Sequence, residues 1–154
     1  MNPVLFSSRY EDWGTPQALF DELNREFKFT LDAAATKESA KVSRFISKER
    51  ATPSLGDWGY CSVVFLNPPY GRDIGRWMEK AYRESQRGAL VVCLVHARTD
   101  TRWFHDWVLG KAEIRFLKGR LKFTDYRPDP DGKPRKPQSS TFPSIVVIYR
   151  PPTT

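Results

Sequence analysis

Histidine, cysteine and methionine are scarce in this chain, with two of each among 154 residues. A zinc site would need partners that the two His cannot supply, and two Cys argue against a disulfide framework. Cys61 and Cys93 both sit inside apolar runs and are expected to be reduced and buried. Long hydrophobic runs are missing as well. Runs such as Val63–Leu66 and Ala89–Val95 fall far short of the roughly 18–20 residues that a membrane span needs. The opening MNPVLFSSRY has neither a basic n-region nor an apolar h-region, so we expect no signal peptide and a cytosolic location. Wholesale disorder is excluded, because hydrophobic residues make up 40% and aromatics 14% of the chain. The length fits one domain over residues 1–154.

What the chain has in excess is positive charge, +7 net. Residues 115–136 hold eight Lys and Arg against three Asp, so most of the excess falls in about a seventh of the sequence. Clustered cations attract phosphate and make binding salt-dependent. A solvated basic loop has the same composition, so charge alone leaves both readings open.

Thr15 is a natural N-cap and Pro16 suits a first helical position, ahead of Ala18, Leu19, Phe20, Leu23 and Phe27 at helical spacing. Phe27–Leu31 alternates and predicts a strand ending at Asp32, followed by a small-residue turn at Ala33–Thr36 and a short helix from Lys37 to about Lys48. Ala51–Tyr60 reads as irregular. Ser62–Leu66 and Ala89–Val95 predict buried strands, and Trp77–Gln86 and Thr101–Leu109 predict helices. Further strands are expected at Ala112–Phe116, Leu121–Phe123 and Ile145–Tyr149, with a long flexible basic loop at about 125–140. Continuous apolar strands separated by helices indicate an α/β fold with a sheet covered on both faces. In such sheets ligands bind beyond the strand carboxyl ends. Asp32–Thr36, Asn67–Gly71 and His96–Asp100 converge there.

Asn67–Pro68–Pro69–Tyr70 follows a buried strand that two prolines cannot continue. It resembles motif IV of the amino-methyltransferases that use S-adenosylmethionine. The chemistry asks for these residues. An exocyclic amine conjugated to a purine is a poor nucleophile, and two acceptors aimed at its N–H bonds free the lone pair. The Asn67 side-chain oxygen and the Pro68 carbonyl suit that task, because the Pro68–Pro69 pair fixes the backbone. Tyr70 offers a flat face for an extruded base. Neither a metal nor a covalent intermediate is required.

The resemblance widens along the chain. Trp13–Gly14–Thr15–Pro16, Phe20, Phe27, Phe29–Thr30–Leu31–Asp32–Ala33–Ala34–Ala35–Thr36, Ser39–Ala40–Lys41, Arg44–Phe45, Trp58, Asn67–Gly71, Trp77, Ala97–Thr101, Trp103–His105, Gly119–Phe123 and Ser144–Val147 follow the pattern of the phage DNA N6-adenine methyltransferase (Dam-like) family. These motifs cover roughly residues 12–149. The resemblance implies a compact Rossmann-like class I methyltransferase fold with a mostly parallel central sheet flanked by helices. It also implies S-adenosylmethionine as donor, adenine N6 in DNA as acceptor, and the host cytoplasm as location if the chain is phage-encoded. Asp32, Ala33 and Ala34 would form the cofactor loop, with alanines where many methyltransferases carry glycines. Thr15 and Pro16 would touch the same cofactor, as would Asn67. Trp13 and Phe45 suit the adenosine ring or the core alike.

Only 34 residues separate Asp32 from Asn67, which leaves no room there for a separate target-recognition domain. Recognition of DNA then falls to loops or to a second subunit in a homodimer. Arg72, Arg120, Lys122, Lys133, Arg135 and Lys136 are the expected phosphate contacts. Arg98 suits phosphate, the cofactor carboxylate or a surface ion pair. Trp58, Trp77, Trp103 and Trp107 read as packing residues, and His96 and His105 as structural. Three other readings remain: methylation of RNA adenine, methylation of protein glutamine, and a catalytically idle DNA-binding protein. The basic segment weighs against the second, and the intact Asn67–Tyr70 bend against the third.

Overall fold

The computed structural model describes residues 13–47 and 56–153. The MNPVLFSSRY reading, the expected helix end at Lys48 and the irregular stretch over 51–55 lie outside the described residues.

Helix α1 (Gln17–Phe27) starts after Pro16, whose carbonyl accepts the first helical bond from Phe20 N at 3.1 Å. Pro16 therefore takes the cap position expected of Thr15. The Thr15 hydroxyl makes no cap bond to the helix, because it is engaged by Asn67 instead. Lys28 ends the helix in a left-handed conformation (φ 57°), with its N–H on the Asn24 carbonyl. The Asn24 side chain then takes the N–H of Phe29 at 2.9 Å.

That ending shifts the first strand. β1 is Leu31–Ala35, beginning where the alternation of Phe27–Leu31 predicted an end. Asp32, Ala33 and Ala34 lie inside β1 rather than in a turn after it. The region expected as a helix from Lys37 forms turns and then β2 (Phe45–Ser47). The Asp32 N–H bonds to the Arg44 carbonyl at 3.0 Å, which commits that segment to the sheet. β3 (Val63–Leu66), α2 (Ile74–Gln86), β4 (Leu90–His96), α3 (Arg102–Trp107) and β5 (Glu113–Phe116) follow as the sequence predicts, within a few residues. β6 (Lys122–Phe123) and β7 (Gln138–Ser139) pair as a small antiparallel ribbon, and β8 (Ser144–Tyr149) completes the main sheet.

The sheet has six strands in the order β2-β1-β3-β4-β8-β5. β2, β1, β3 and β4 run parallel, and β8 is antiparallel to both of its neighbours. Both faces of the central strands are covered, while Phe116 at the end of the edge strand β5 stays exposed. Val64, Leu66, Val91, Cys93, Val95, Ile145 and Val147 pack with Trp77, Met78 and Phe104 of α2 and α3. Phe65, Val92, Leu94, Val146 and Ile148 pack with Phe20, Leu23 and Phe27 of α1 and with Phe123. Trp58 and Trp77 are core residues, and Trp103 and Trp107 pack partly buried against that core. Cys93 is buried, but Cys61 is exposed. It sits at φ 64° in the turn before β3, outside the apolar run it borders. No described helix is long and apolar enough to cross a membrane.

From β1 the chain goes outward to β2, then returns across β1 to β3 on its other side. The carboxyl ends of β1 and β3 therefore flank the point where strand order reverses, the usual place for a ligand crevice in an open α/β sheet.

Candidate active site

A small, partly open cleft lies at that point, lined among others by Trp13, Thr15, Asp32, Ala34, Lys41 and Asn67. Asp32 pairs with Phe65 of β3 on one side and with Phe45 of β2 on the other. The β1–β2 register slips between Asp32 and Ala35, a kind of irregularity that re-aims the backbone beside a site. The Asp32 carboxylate is buried and accepts the N–H groups of Ala34 (3.4 Å) and Lys41 (3.1 Å). It does not cap a helix; it ties the 36–41 turn back onto the strand. Within that turn, Thr36 and Ser39 bond reciprocally through side chain and main chain. Lys41 donates to Gln17 Oε1 at 2.7 Å, and its burial lowers the ammonium pKa. Ser39 and Lys41 belong to the family pattern but carry no site role in the sequence reading. Their place in the cleft follows from the turn that replaces the expected helix.

Asn67 follows Leu66 directly and is buried. Its Nδ2 donates to the Trp13 carbonyl at 3.0 Å and to Thr15 Oγ1 at 3.2 Å. A main-chain carbonyl can only accept, so the amide nitrogen must face the Trp13–Thr15 strap. The opposite end, Oδ1, then points away from the strap, and no described residue donates to it. Pro68 is buried and Pro69 half-buried behind it.

Tyr70 donates its hydroxyl to the Leu94 carbonyl of β4 at 3.2 Å. Its ring stacks on His96, with centroids 3.8 Å apart and planes 2° from parallel. Burial raises the phenol pKa, which keeps the hydroxyl a donor. Burial and the neighbouring Arg98 push the His96 pKa down to about 4. His96 in turn lies 5.1 Å from the Phe142 ring, over which the Arg98 guanidinium sits at 4.6 Å. His96, expected to be structural, packs face to face with Tyr70. Phe142 carries no signal that reading one chain could find. His105 bonds the Thr99 carbonyl at 2.8 Å.

The basic residues divide into two groups. Arg72 is exposed immediately after the bend, and Arg98, Lys122, Lys133 and Lys136 are exposed on loops or strand ends. Arg120, also exposed, donates to the Thr141 carbonyl at 2.6 Å. Arg127 and Arg135 instead converge on Asp125, whose side chain is fully buried. Arg127 bonds both Asp125 oxygens, at 2.9 and 2.6 Å, and holds that carboxyl below the usual range. Arg135 also approaches Asp129 at 3.3 Å. With a bridge between Pro128 and Pro134, the segment expected as a loop forms an ordered hairpin arm above β6 and β7. The proline-rich composition hid this, because the ties are tertiary ion pairs and isolated backbone bonds rather than a continuous ladder.

The chain is 34% identical to a DNA N-6-adenine-methyltransferase of Escherichia phage T1 over 112 residues, 71% of this chain and 45% of that protein. It is 30% identical to a DNA N-6-adenine-methyltransferase of Haemophilus phage HP1 over 148 residues, 90% of this chain and 78% of the relative. The chain thus spans less than half the length of the phage T1 protein and about four-fifths of the phage HP1 protein. A family model described as DNA N-6-adenine-methyltransferase (Dam) matches residues 5–154, and with nearly the whole length matched the chain belongs to that family.

Proposed function

We propose that this chain transfers a methyl group from S-adenosylmethionine to the exocyclic amine of an adenine flipped out of DNA, on a Rossmann-like methyltransferase fold. The observation that carries the reading is the Asn67 amide, fixed by its nitrogen to the strap with its oxygen left to accept.

The cleft residues fit such a donor. Its amino-acid end is zwitterionic, and the cleft offers one carboxylate (Asp32) and one ammonium (Lys41) beside Ala34 and Phe65. When bound, the donor supplies an already activated methyl group. The chain's own part is orientation and electrostatics. Asn67 Oδ1 and the Pro68 carbonyl accept the two N–H bonds of the amine, which localises its lone pair. Both acceptors are rigid, one through the strap and the other through the proline pair, so they need no reorganisation during the reaction. Tyr70 cannot swing, since its hydroxyl is bonded into β4 and one face rests on His96. Its remaining face can stack a base, and stacking helps to offset the cost of extrusion. Arg72, Arg98, Arg120, Lys122, Lys133 and Lys136 hold phosphates, which position the duplex without reading its sequence. Arg135 stiffens the hairpin through Asp125 and Asp129.

The test is a labelled-methyl transfer assay on DNA, RNA and protein, followed by mapping of the modified group. Label at adenine N6 in DNA is the expected result. Label confined to RNA or to glutamine, or no transfer at all, contradicts the proposal.

A further inference from the structure

We infer that Gly14 and Tyr126 form a joint that sets the orientation of the Asn67 amide, which makes the basic hairpin a positioning element of the catalytic bend. The inference rests on the reading of Asn67 as the residue that grips the amine.

The strap Trp13–Thr15 is held from two sides. Toward the cleft it receives the Asn67 amide on the Trp13 carbonyl and the Thr15 hydroxyl. Toward the hairpin, Gly14 N donates to the Thr124 carbonyl at 2.8 Å, and Thr124 N returns a bond to the Gly14 carbonyl at 2.9 Å. This two-bond bridge is flanked by Arg127, whose guanidinium lies 5.9 Å from the Trp13 ring. Asp125, one residue beyond Thr124, is the buried carboxylate that gathers Arg127 and Arg135. The buried ion-pair centre at the base of the hairpin arm therefore lies next to the bridge.

Gly14 is required here by close approach alone. Its φ is not among the positive values, so its backbone conformation is open to other residues. A Cβ at this position, however, would stand 2.4–2.8 Å from the Tyr126 ring and hydroxyl. Real Cβ atoms do not come so near, so the ring or the strap would have to shift. The Tyr126 ring thus fills the space beside Gly14, at the point of the strap between its two bonds to Asn67. Displacing the strap moves both acceptors of Nδ2 together, and Oδ1 turns with them.

The test uses the full chain with Gly14→Ala, Tyr126→Ala and the double variant. The Asn67 side-chain NH₂ resonances, assigned by their loss in Asn67→Asp, report on the amide without any turnover. Gly14→Ala is expected to move those resonances and to lower kcat for DNA methylation about 100-fold, as a misplacement near 1 Å does. Tyr126→Ala, which leaves the strap unsupported on one side, moves them less. In the double variant the added methyl occupies space the ring has vacated. Its resonances and kcat should therefore match Tyr126→Ala rather than Gly14→Ala, a non-additivity expected only for residues in contact. Unmoved resonances in Gly14→Ala, or a double variant as impaired as Gly14→Ala, overturn the inference. If Gly14→Ala does not fold, unmoved resonances in Tyr126→Ala overturn it. A wild-type chain that methylates nothing sinks the proposed function, while the resonances still decide this point.

Discussion

The bend Asn67–Tyr70 and the hairpin arm 125–136 are both loops beyond strand ends, yet they are built on opposite principles. In the bend, each group to which the proposed function gives a chemical task is held at its other end: the Asn67 nitrogen by the strap, the Tyr70 hydroxyl by Leu94 and the Tyr70 ring by His96. In the arm, the cations that are held, Arg127 and Arg135, are paired with acids, while Lys133 and Lys136 extend into solvent. Methyl transfer depends on angles and distances of a few tenths of an ångström, so fixed geometry is needed. Phosphate attraction depends on charge within a Debye length, and mobile lysines serve it well. Removing one side chain should therefore be severe in the bend and gradual in the arm.

The largest effect is expected for Asn67→Ala. Loss of a preorganised polar group at a reacting centre costs about 10²–10³ in rate, and single-turnover methylation should fall at least that far while S-adenosylmethionine affinity, read by calorimetry, stays within a few-fold. A near-normal rate would erase the contrast between the two loops. Asp125→Ala comes next, because two arginines lose their buried partner. We expect a loss of about 2 kcal/mol, typical of hydrogen bonds to a charged group, in denaturant-induced unfolding, together with faster proteolysis within 125–136. Protection equal to wild type would mean the arm is ordered by something else.

Smaller is the combined Arg120→Gln and Lys122→Gln change. Each lost phosphate contact lowers the slope of log K against log salt by about 0.9, so the slope should shallow by one to two. An unaltered slope places those cations away from the duplex. The subtlest is a pH effect at His96. Its folded pKa, about 4, lies below the ordinary imidazole value, so the folded state binds fewer protons than the unfolded state between the two. The stability it contributes is complete above about pH 6.5 and is lost as pH falls toward 4. His96→Gln should flatten unfolding free energy against pH over that window. An unchanged slope would assign the acid sensitivity to carboxylates.

The same contrast governs what could be read from the sequence. β3, β4 and β8 were legible because unbroken Val, Leu and Ile runs admit few placements but a two-sided sheet. Asn67 was legible because two prolines end such a run abruptly. β1 was misplaced: Phe27 and Phe29 alternate like a strand, but both face the α1-side core from the end of the helix and the residues after it. The true strand, Leu31–Ala35, is buried at every position and so shows no alternation. The bridge from Gly14 to Thr124 joins residues far apart in the chain, and the pairing of Asp125 with Arg127 and Arg135 is tertiary. No local pattern announces either, which is why the strap's hold on Asn67 emerges only in three dimensions.

The most direct trial of the account is a crystal structure of the chain with a non-reactive donor analogue and a duplex carrying its target adenine. The account predicts an extruded adenine on Tyr70, its N6 within about 3.2 Å of both Asn67 Oδ1 and the Pro68 carbonyl. An N6 that meets neither oxygen, or a donor bound away from the Asp32–Asn67 cleft, would contradict it.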